Sequence, residues 1–371
     1  MRKKFLIVGD FLTGSGLTGV IFNIFPKITA NYDVTAVGYG QEESSEIAKK
    51  CKELRWNLIR TPSVNKNPIK HWLFWYRFFY KFKFDYIYFN YSSAWNFLPV
   101  YFAHKYTHAK IIIHSHNTYY SHIFSNKLLM NILNRVNNLG KKKMNKLANY
   151  KVATSIEAAK WMFGKNITPN DVLISRNGIN IEKYQFNSLY RSQIREKYNI
   201  NDQTTLFGFV GVLQERKNPI FAIKVFSSII KLHPDSKLVL IGKGELEKEV
   251  NDEINKLNLK DKVILIPYTN VVNKWYSAMD VLLFPSKYEG LPLTLIEAQV
   301  ADLYIFASDR LPKDVYVTER IQGLSIKNID IWIDEIKKVS YKNINQRNMP
   351  NTKLLKYSDY VQAQKIKQYI S

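Results

Sequence analysis

The chain has 371 residues, with 54 Lys plus Arg against 31 Asp plus Glu, a formal net charge of +23. Its length favours two domains or three, and 46% hydrophobic with 23% charged residues excludes a disordered polymer. The single cysteine, Cys51, excludes an internal disulfide, argues against a thiolate-rich metal site and points to a reducing compartment.

The chain opens on three basic residues and a four-residue apolar run, Phe5 to Val8, ended by Gly9 and Asp10. A signal peptide needs about 7–15 apolar residues, so this run reads as a first buried strand. Further strands are predicted at Val34–Val37, Tyr86–Phe89, Ile111–His114, Lys151–Thr154 and Val172–Ile174. Between them fall helical patterns at Gly19–Ile28, Ser44–Cys51, Trp72–Phe82, Leu128–Ala148 and Ile156–Phe163. The stretch Trp72 to Phe102 is the most apolar, but Arg77, Lys81, Lys83 and Asp85 interrupt it. That excludes a bilayer span, which needs about 20 mostly apolar residues, and leaves room for attachment to a membrane surface.

A polar junction over residues 180–203 separates this half from a second alternation. There the strands are Thr205–Val210, Lys237–Ile241, Lys262–Ile266, Val281–Phe284 and Tyr304–Ala307. The helices are Pro219–Leu232, Leu246–Lys256, Val271–Met279, Leu293–Val300 and Asp330–Val339, and the tail from Tyr357 to Ile370 has helical spacing. Such alternation predicts α/β architecture with two doubly wound domains whose parallel sheets are covered on both faces. Ligands then belong at the carboxyl ends of strands, and a cleft between two domains is the default site.

The positive charge is mostly N-terminal: residues 1–190 hold 27 basic and 10 acidic side chains, residues 191–371 hold 27 and 21. Lys66, Lys70, Arg77, Lys81 and Lys83 interleave with Trp72, Phe74, Trp75, Phe78, Phe79 and Phe82. A second cluster is Arg135, Lys141, Lys142, Lys143 and Lys146. Basic side chains beside anionic headgroups contribute on the order of 1 kcal/mol each, and aromatic residues favour that interface. The competing reading is a core aromatic face with solvated lysines. No zinc-finger spacing, aromatic RNA-binding motif or basic-helix pattern accompanies the charge, so a nucleic-acid partner is not expected.

Four segments carry candidate chemistry. In Phe284 to Gln299, a strand end leads through Tyr288, Glu289, Gly290 and Leu291 to Pro292, a residue suited to a first helical turn. The backbone N–H groups and dipole at that helix start suit an anion such as phosphate. Glu289 stands before the helix and Glu297 inside it, roughly 7 Å beyond Pro292 at about 1.5 Å per residue. Carboxylates accept from pairs of sugar hydroxyls, so two of them flanking an anion site fit a nucleotide sugar. The rival is a pair of solvated surface glutamates.

In the second segment, a strand ends at Gly211 and Arg216 and Lys217 follow. These cations could clamp a diphosphate and stabilise the charge on a departing phosphate; alone, they would read as a solvated loop. The third is His114 to Asn117 at a strand end. His114 and His116 share a face if the strand continues, but with no third ligand in view no metal is expected, and His116 reads as a polar contact in a cleft. The fourth is Gly14 to Gly19, where a Gly-x-Gly-x-x-Gly match starts too far beyond the strand and has no acid after the second strand. It is not read as a dinucleotide site, although such a turn can bring backbone close to a ligand.

Together these segments resemble glycosyltransferase family 4, the retaining GT-B enzymes, and the branch making bacterial capsular or extracellular polysaccharide. The glutamate pair with Gly290, Leu291 and Pro292 inside is the specific part. Residues 153–164, 177–184 and 241–246, and Ser277 to Asp280 before a strand, support it. The resemblance implies two Rossmann-like domains facing a cleft: residues 1–185 for the acceptor and 186–355 for the nucleotide sugar. Residues 356–371 would be a helix packing back on the first domain.

By that resemblance Glu289 contacts donor-sugar hydroxyls and Glu297 the ribose, while Gly290 and Leu291 offer backbone N–H groups. Lys217 matches the family's diphosphate lysine, Gly16 the N-terminal glycine loop and His116 the histidine near the donor sugar. Base contacts fall near Pro267 and Tyr268. Val212 stands where the family usually has arginine, Ser15 alters the glycine loop, and Asp302, Leu303 and Tyr304 replace a usual Gly-x-Pro.

The expectation is a metal-independent hexosyl- or N-acetylhexosaminyltransferase without a cofactor. It would use a UDP-sugar and a lipid-linked saccharide, at the cytoplasmic, anionic face of the plasma membrane. The alternative is a non-catalytic nucleotide-sugar-binding or membrane scaffold protein of the same fold.

Overall fold

The computed structural model describes residues 2–13, 15–40, 45–64, 66–118, 120, 126–339, 347 and 352–371. It divides into two compact units, Met1–Ile179 with Tyr357–Ser371, and Asn180–Lys356. The first unit runs β1 (Lys4–Gly9), α1 (Gly16–Ile28), β2 (Asp33–Tyr39), α2 (Ser45–Glu53), β3 (Asn57–Thr61), α3 (Pro68–Lys81), β4 (Tyr86–Tyr91), α4 (Leu98–Tyr106), β5 (Lys110–Ser115), α5 (Lys127–Leu147), β6 (Tyr150–Ala153), α6 (Ile156–Phe163) and β7 (Leu173–Ile174). The second begins with α7 (Ile181–Tyr184) and α8 (Ser188–Lys197). It continues β8 (Thr205–Val210), α9 (Pro219–Ile229), β9 (Ser236–Ile241), α10 (Glu247–Lys256), β10 (Val263–Ile266), α11 (Val272–Ala278), β11 (Val281–Phe284), α12 (Leu293–Val300), β12 (Tyr304–Ser308), β13 (Ile321–Leu324) and α13 (Ile329–Lys337). The chain ends in α14 (Asp359–Ile370), which belongs to the first unit.

Both sheets are parallel. In the first unit the strand order is β3-β2-β1-β4-β5-β6-β7, and in the second β10-β9-β8-β11-β12-β13. The order therefore reverses between β1 and β4, and between β8 and β11, the places where sheets of this kind bind ligands beyond the strand ends. Strands covered on both faces carry unbroken apolar runs, as in β11, whose four residues are all buried.

The tail returns to the first unit through a backbone exchange. Ile179 N donates to Tyr357 O at 2.8 Å, and Asp359 N donates to Ile179 O at 2.9 Å. A Cβ on Gly178 would lie 2.5 Å from Asp359 Cα, so glycine is what lets the two backbones meet here. Lys27 Nζ pairs with Asp359 at 2.9 Å, and Ser175 Oγ donates to Gln362 Oε1 at 3.0 Å.

The polar junction expected over 180–203 is instead largely helical. In α8, Arg191 and Arg195 are buried and point their guanidinium groups at Asp280, just before β11, at 2.8 and 2.6 Å. Arg195 also donates to the carbonyls of Ala278, Asn201 and Thr204. Charges that look solvated in the sequence thus form the inner face of a helix. β3 and β13 were not anticipated either. Both are sheet-edge strands, and each shows water part of its length.

The aromatic segment of α3 divides between the two readings of it. Trp75, Phe78 and Phe79 are core, while Ile69, Leu73, Tyr76 and Tyr80 are exposed on a helix that also carries Lys70, Arg77 and Lys81. On α5, Leu128, Leu129, Ile132, Val136 and Leu139 are exposed at helical spacing. Among the described residues, no helix is long and apolar enough to cross a membrane.

Candidate functional site

In the second unit the residues of interest gather at the carboxyl ends of β8 and β11, the neighbours at the reversal of strand order. The loop after β8 is braced by the loop after β9. Gly211 N donates to Ile241 O at 3.0 Å, and Leu213 N donates to Lys243 O at 3.0 Å. A Cβ on Gly242 would sit 1.9 Å from Gly211 O, and one on Gly244 2.3 Å from Leu213 O. The Gly-Lys-Gly segment after β9 therefore permits backbone-to-backbone packing. Lys217 N and Asn218 N then donate to Gln214 O, closing a turn that ends at the first residue of α9.

That turn aims Arg216 and Lys217 at the loop after β11. Lys287 N donates to Arg216 O at 2.8 Å, tying the two loops together. Arg216 Nη1 lies 2.5 Å from Glu289 Oε2, and Lys217 Nζ lies 2.6 Å from Glu289 Oε1. The Glu289 side chain is only 8% exposed, so it is a bracketed carboxylate, not a solvated one. The Lys217 ammonium lies 5.0 Å from the centre of the Phe284 ring. Burial pulls its pKa below the ordinary lysine value, Glu289 opposes that, and Arg216 adds to the depression.

Gly290 is exposed, with nothing near its Cβ position. Leu291 is half-buried, and Pro292 is the residue before α12, not part of its first turn. Pro292 has no side chain able to cap the helix start, where the first N–H groups lack intrahelical partners.

Glu297, one turn into α12, meets a different set. Tyr276 Oη donates to Glu297 Oε2 at 3.0 Å. Burial raises the Glu297 pKa, and the hydroxyls of Tyr276 and Tyr184 work against the rise. Pro267 and Tyr268 follow β10, at the edge of the sheet, and both are exposed. The structure thus brings Arg216, Lys217 and Glu289 into direct contact. Glu297 is held by two tyrosines that sequence reasoning did not single out.

In the first unit, His116 follows β5. Its Nε2 lies 3.0 Å from Asn90 Oδ1, at the end of β4, and its Nδ1 lies 3.2 Å from the Asn177 amide. Asn90 Nδ2 donates to Val8 O, which turns the Asn90 oxygen toward His116. Burial drives His116 down to about 4 and His114 well below the ordinary histidine range, so both rings are neutral at pH 7. Both ring nitrogens of His116 face an amide oxygen, Asn90 Oδ1 and Asn177 Oδ1, and a neutral ring donates from one nitrogen, so it serves one of the two at a time.

The His114 and His116 rings lie 3.9 Å apart, and His114 Nδ1 meets the Tyr88 hydroxyl at 3.1 Å. Among the described residues, no group of three or more His, Cys, Asp or Glu side chains is placed to hold a metal ion. Gly16 opens α1 and is exposed, with open space at its Cβ position. Ser15, just before it, donates to Asp10 at 3.1 Å. Gly14 lies outside the described residues. Asn90 and Asn177 were not singled out, though Asn177 opens one of the supporting segments.

Comparison with known proteins now adds to the geometry. Residues 191–353 match the family described as glycosyl transferases group 1. The matched residues lie within the second unit. They contain β8, β11 and the Arg216–Lys217–Glu289 cluster.

The chain is similar to the UDP-Gal:alpha-D-GlcNAc-diphosphoundecaprenol alpha-1,3-galactosyltransferase of Escherichia coli, 28% identical over 194 residues, 50% of each chain. It is also similar to the capsular polysaccharide biosynthesis glycosyltransferase CapM of Staphylococcus aureus, 31% identical over 139 residues, 36% of this chain and 35% of the relative. The chain spans half or less of the length of these curated relatives. Among solved structures, Anabaena HepE in complex with UDP and glucose superposes with a TM-score of 0.78 at 13% identity, covering 99% of both chains. The fold, two parallel α/β sheets, is that of GT-B glycosyltransferases.

Proposed function

We propose that this chain is a retaining glycosyltransferase of the family 4 type. It transfers a hexosyl or N-acetylhexosaminyl group from a nucleotide-diphosphate sugar, with UDP as the nucleotide, to a lipid-linked saccharide in capsular or extracellular polysaccharide synthesis. The observation that carries this reading is the Glu289 carboxylate held at 2.5 and 2.6 Å by Arg216 and Lys217 beyond β8 and β11. Two cations in a partly buried loop pair match a diphosphate. An adjoining acid matches the sugar hydroxyls, and Glu297 farther along α12 matches the ribose. The UDP named in both the E. coli relative and the Anabaena complex supports the choice of nucleotide.

In this reading the bond from sugar C1 to the leaving phosphate oxygen breaks, and an acceptor hydroxyl oxygen bonds to C1 from the same face. Its proton passes to the leaving phosphate, so no protein nucleophile is assigned. Lys217, Arg216 and the N–H groups around Gly290 and Leu291 stabilise the charge growing on the diphosphate, which assigns that task to protein groups without a metal. Gly16 and His116 of the first unit are proposed as further donor contacts, with His116 acting as a neutral polar group. Pro267 and Tyr268 are proposed for the base.

The membrane face is part of the proposal. The exposed apolar stripe of α5 and that of α3 carry Arg135, Lys142, Lys143 and Lys146, and Lys70, Arg77 and Lys81. That pattern suits an anionic lipid surface at the inner leaflet, on the cytoplasmic side. The undecaprenol-linked substrate in the name of the E. coli relative supports a lipid-linked acceptor.

Purified protein incubated with UDP-, GDP- and ADP-sugars and an undecaprenyl-diphosphate saccharide tests the function. Acceptor-dependent UDP release supports it. A second reading, a nucleotide-sugar-binding scaffold, rests on Val212, which is half-exposed and stands where the family that the sequence resembles usually has arginine. Binding of UDP-sugar without turnover across the panel would favour the scaffold.

A further inference from the structure

We infer that Tyr276 and Tyr184 are positioning residues for the nucleotide's ribose, acting through Glu297; the inference rests on the proposed contact between Glu297 and that ribose. Tyr276 comes from α11, is fully buried and donates to Glu297 Oε2 at 3.0 Å. Tyr184 ends α7 and is 9% exposed. Its ring centre lies 6.1 Å from that of Tyr276, and its hydroxyl also bonds the Glu297 carboxyl. Three helices thus converge on one acid.

The kind of partner matters. Asp280 in the same unit is a structural acid: Arg191 and Arg195 grip it, and Arg347 lies 3.9 Å away. With 1% of its side chain exposed, that carboxylate is sealed away from any ligand, whereas Glu297 is only part-buried. Glu297 is hydrogen-bonded by two neutral donors instead, and the Lys183 ammonium acts on it only through its charge. Each phenol fixes the carboxylate through one hydrogen bond and leaves its charge in place. An ionised carboxylate has about four lone-pair positions; two phenols fill two, leaving a pair for adjacent hydroxyls. A 2′,3′-diol presents two donors in that arrangement. The tyrosines also work against the burial that raises its pKa, and so favour the charged form, which alone accepts from both hydroxyls.

The test compares binding of UDP and 2′,3′-dideoxy-UDP, by titration calorimetry, to wild-type protein and to Tyr276→Phe, Tyr184→Phe and Glu297→Gln. Wild type is expected to prefer UDP roughly tenfold, as hydrogen bonds to a charged group imply. Glu297→Gln should nearly abolish that preference. Tyr276→Phe should cut it at least threefold while affinity for the dideoxy form holds, and Tyr184→Phe should cut it in the same direction. In Tyr276→Phe the acid limb of UDP binding should also move to higher pH, because a donor that favours the carboxylate has been removed. Thermal unfolding without nucleotide identifies a variant that merely fails to fold, and Tyr184→Phe then carries the test.

If Glu297→Gln loses the preference and both tyrosine variants keep it, the positioning role is overturned while the ribose contact stands. If Glu297→Gln keeps the preference, or wild-type protein binds UDP no better than its dideoxy form, the ribose contact itself fails and the inference with it.

Discussion

Glu289 and Lys217, 72 residues apart in the chain, meet at 2.6 Å, with the lysine 12% exposed and the glutamate 8%. Arg216 closes the other carboxylate oxygen at 2.5 Å. The acid proposed to face the sugar therefore neutralises the cations proposed to face the diphosphate.

This has a consequence that separates binding from turnover. Glu289→Gln removes the internal anion, so inorganic pyrophosphate should bind the variant severalfold tighter than wild type. Transfer should nonetheless fall at least roughly tenfold, about 1.4 kcal/mol of transition-state stabilisation, because the sugar loses its acceptor. Calorimetry with pyrophosphate and a nucleotide-release assay read the two effects. Unchanged pyrophosphate affinity would mean that the carboxylate does not compete for these cations.

The pH dependence of nucleotide binding follows from Glu297. Its pKa is raised by burial, so the native protein holds this proton where an unfolded chain has lost it. Stability then declines as pH climbs from the ordinary carboxylate range through the raised value. UDP affinity should move oppositely, falling as pH drops through that value, since the protonated acid accepts poorly. Glu297→Gln should flatten both profiles, measured as melting temperature and dissociation constant against pH.

His116 gives the opposite sign. Its pKa is pushed down to about 4 from the ordinary 6.5, so between these values the unfolded state binds the proton and the native state does not. Stability is present above the upper value and is lost as pH falls toward the lower, by up to about 3 kcal/mol from this group. Denaturation curves from pH 7 to 4 should show a shallower loss in His116→Gln.

Asp280 anchors two buried guanidinium groups at 2.8 and 2.6 Å. Asp280→Asn leaves them without their counter-charge and should cost about 3–5 kcal/mol. Urea unfolding should show the midpoint fall, with a loss far larger than for an exposed pair such as Lys337 and Asp334, whose contribution is about 0–1 kcal/mol.

For the membrane face, the variant Ile132→Ser/Val136→Ser/Leu139→Ser removes exposed side chains and should leave folding intact. Flotation with vesicles containing phosphatidylglycerol should fall severalfold relative to wild type, and high salt should weaken what remains. Equal flotation would mean that α5 does not touch lipid.

Particular elements show why some of this was legible beforehand. β8, β11, α6 and α12 begin and end at the residues expected, because continuous apolar runs define the strands and Ser155 caps α6 by accepting from Ala158 N. α4 was hidden by its start at Leu98 and Pro99, where proline reads as a breaker although it sits in the first turn. α8 was hidden because a helix whose inner face is Arg191, Ile194 and Arg195 has a single apolar residue and no stripe to find.

In the candidate site, the residue types of Arg216, Lys217 and Glu289 were legible, but their contact was not, since it depends on loops from neighbouring strands 72 positions apart. Tyr184, Tyr276, Asn90 and Asn177 were silent for a similar reason. A buried tyrosine or asparagine looks like ordinary core until its hydroxyl or amide is seen against a glutamate or a histidine.

The central claim is that Lys217 and Arg216 hold a nucleotide's diphosphate. The dissociation constants of UDP for wild type and Lys217→Ala, measured at one ionic strength with melting temperatures beside them, test it most directly. The account predicts at least roughly tenfold weaker binding, about 1.4 kcal/mol, in a variant that remains folded. Equal affinity in the two proteins would contradict it.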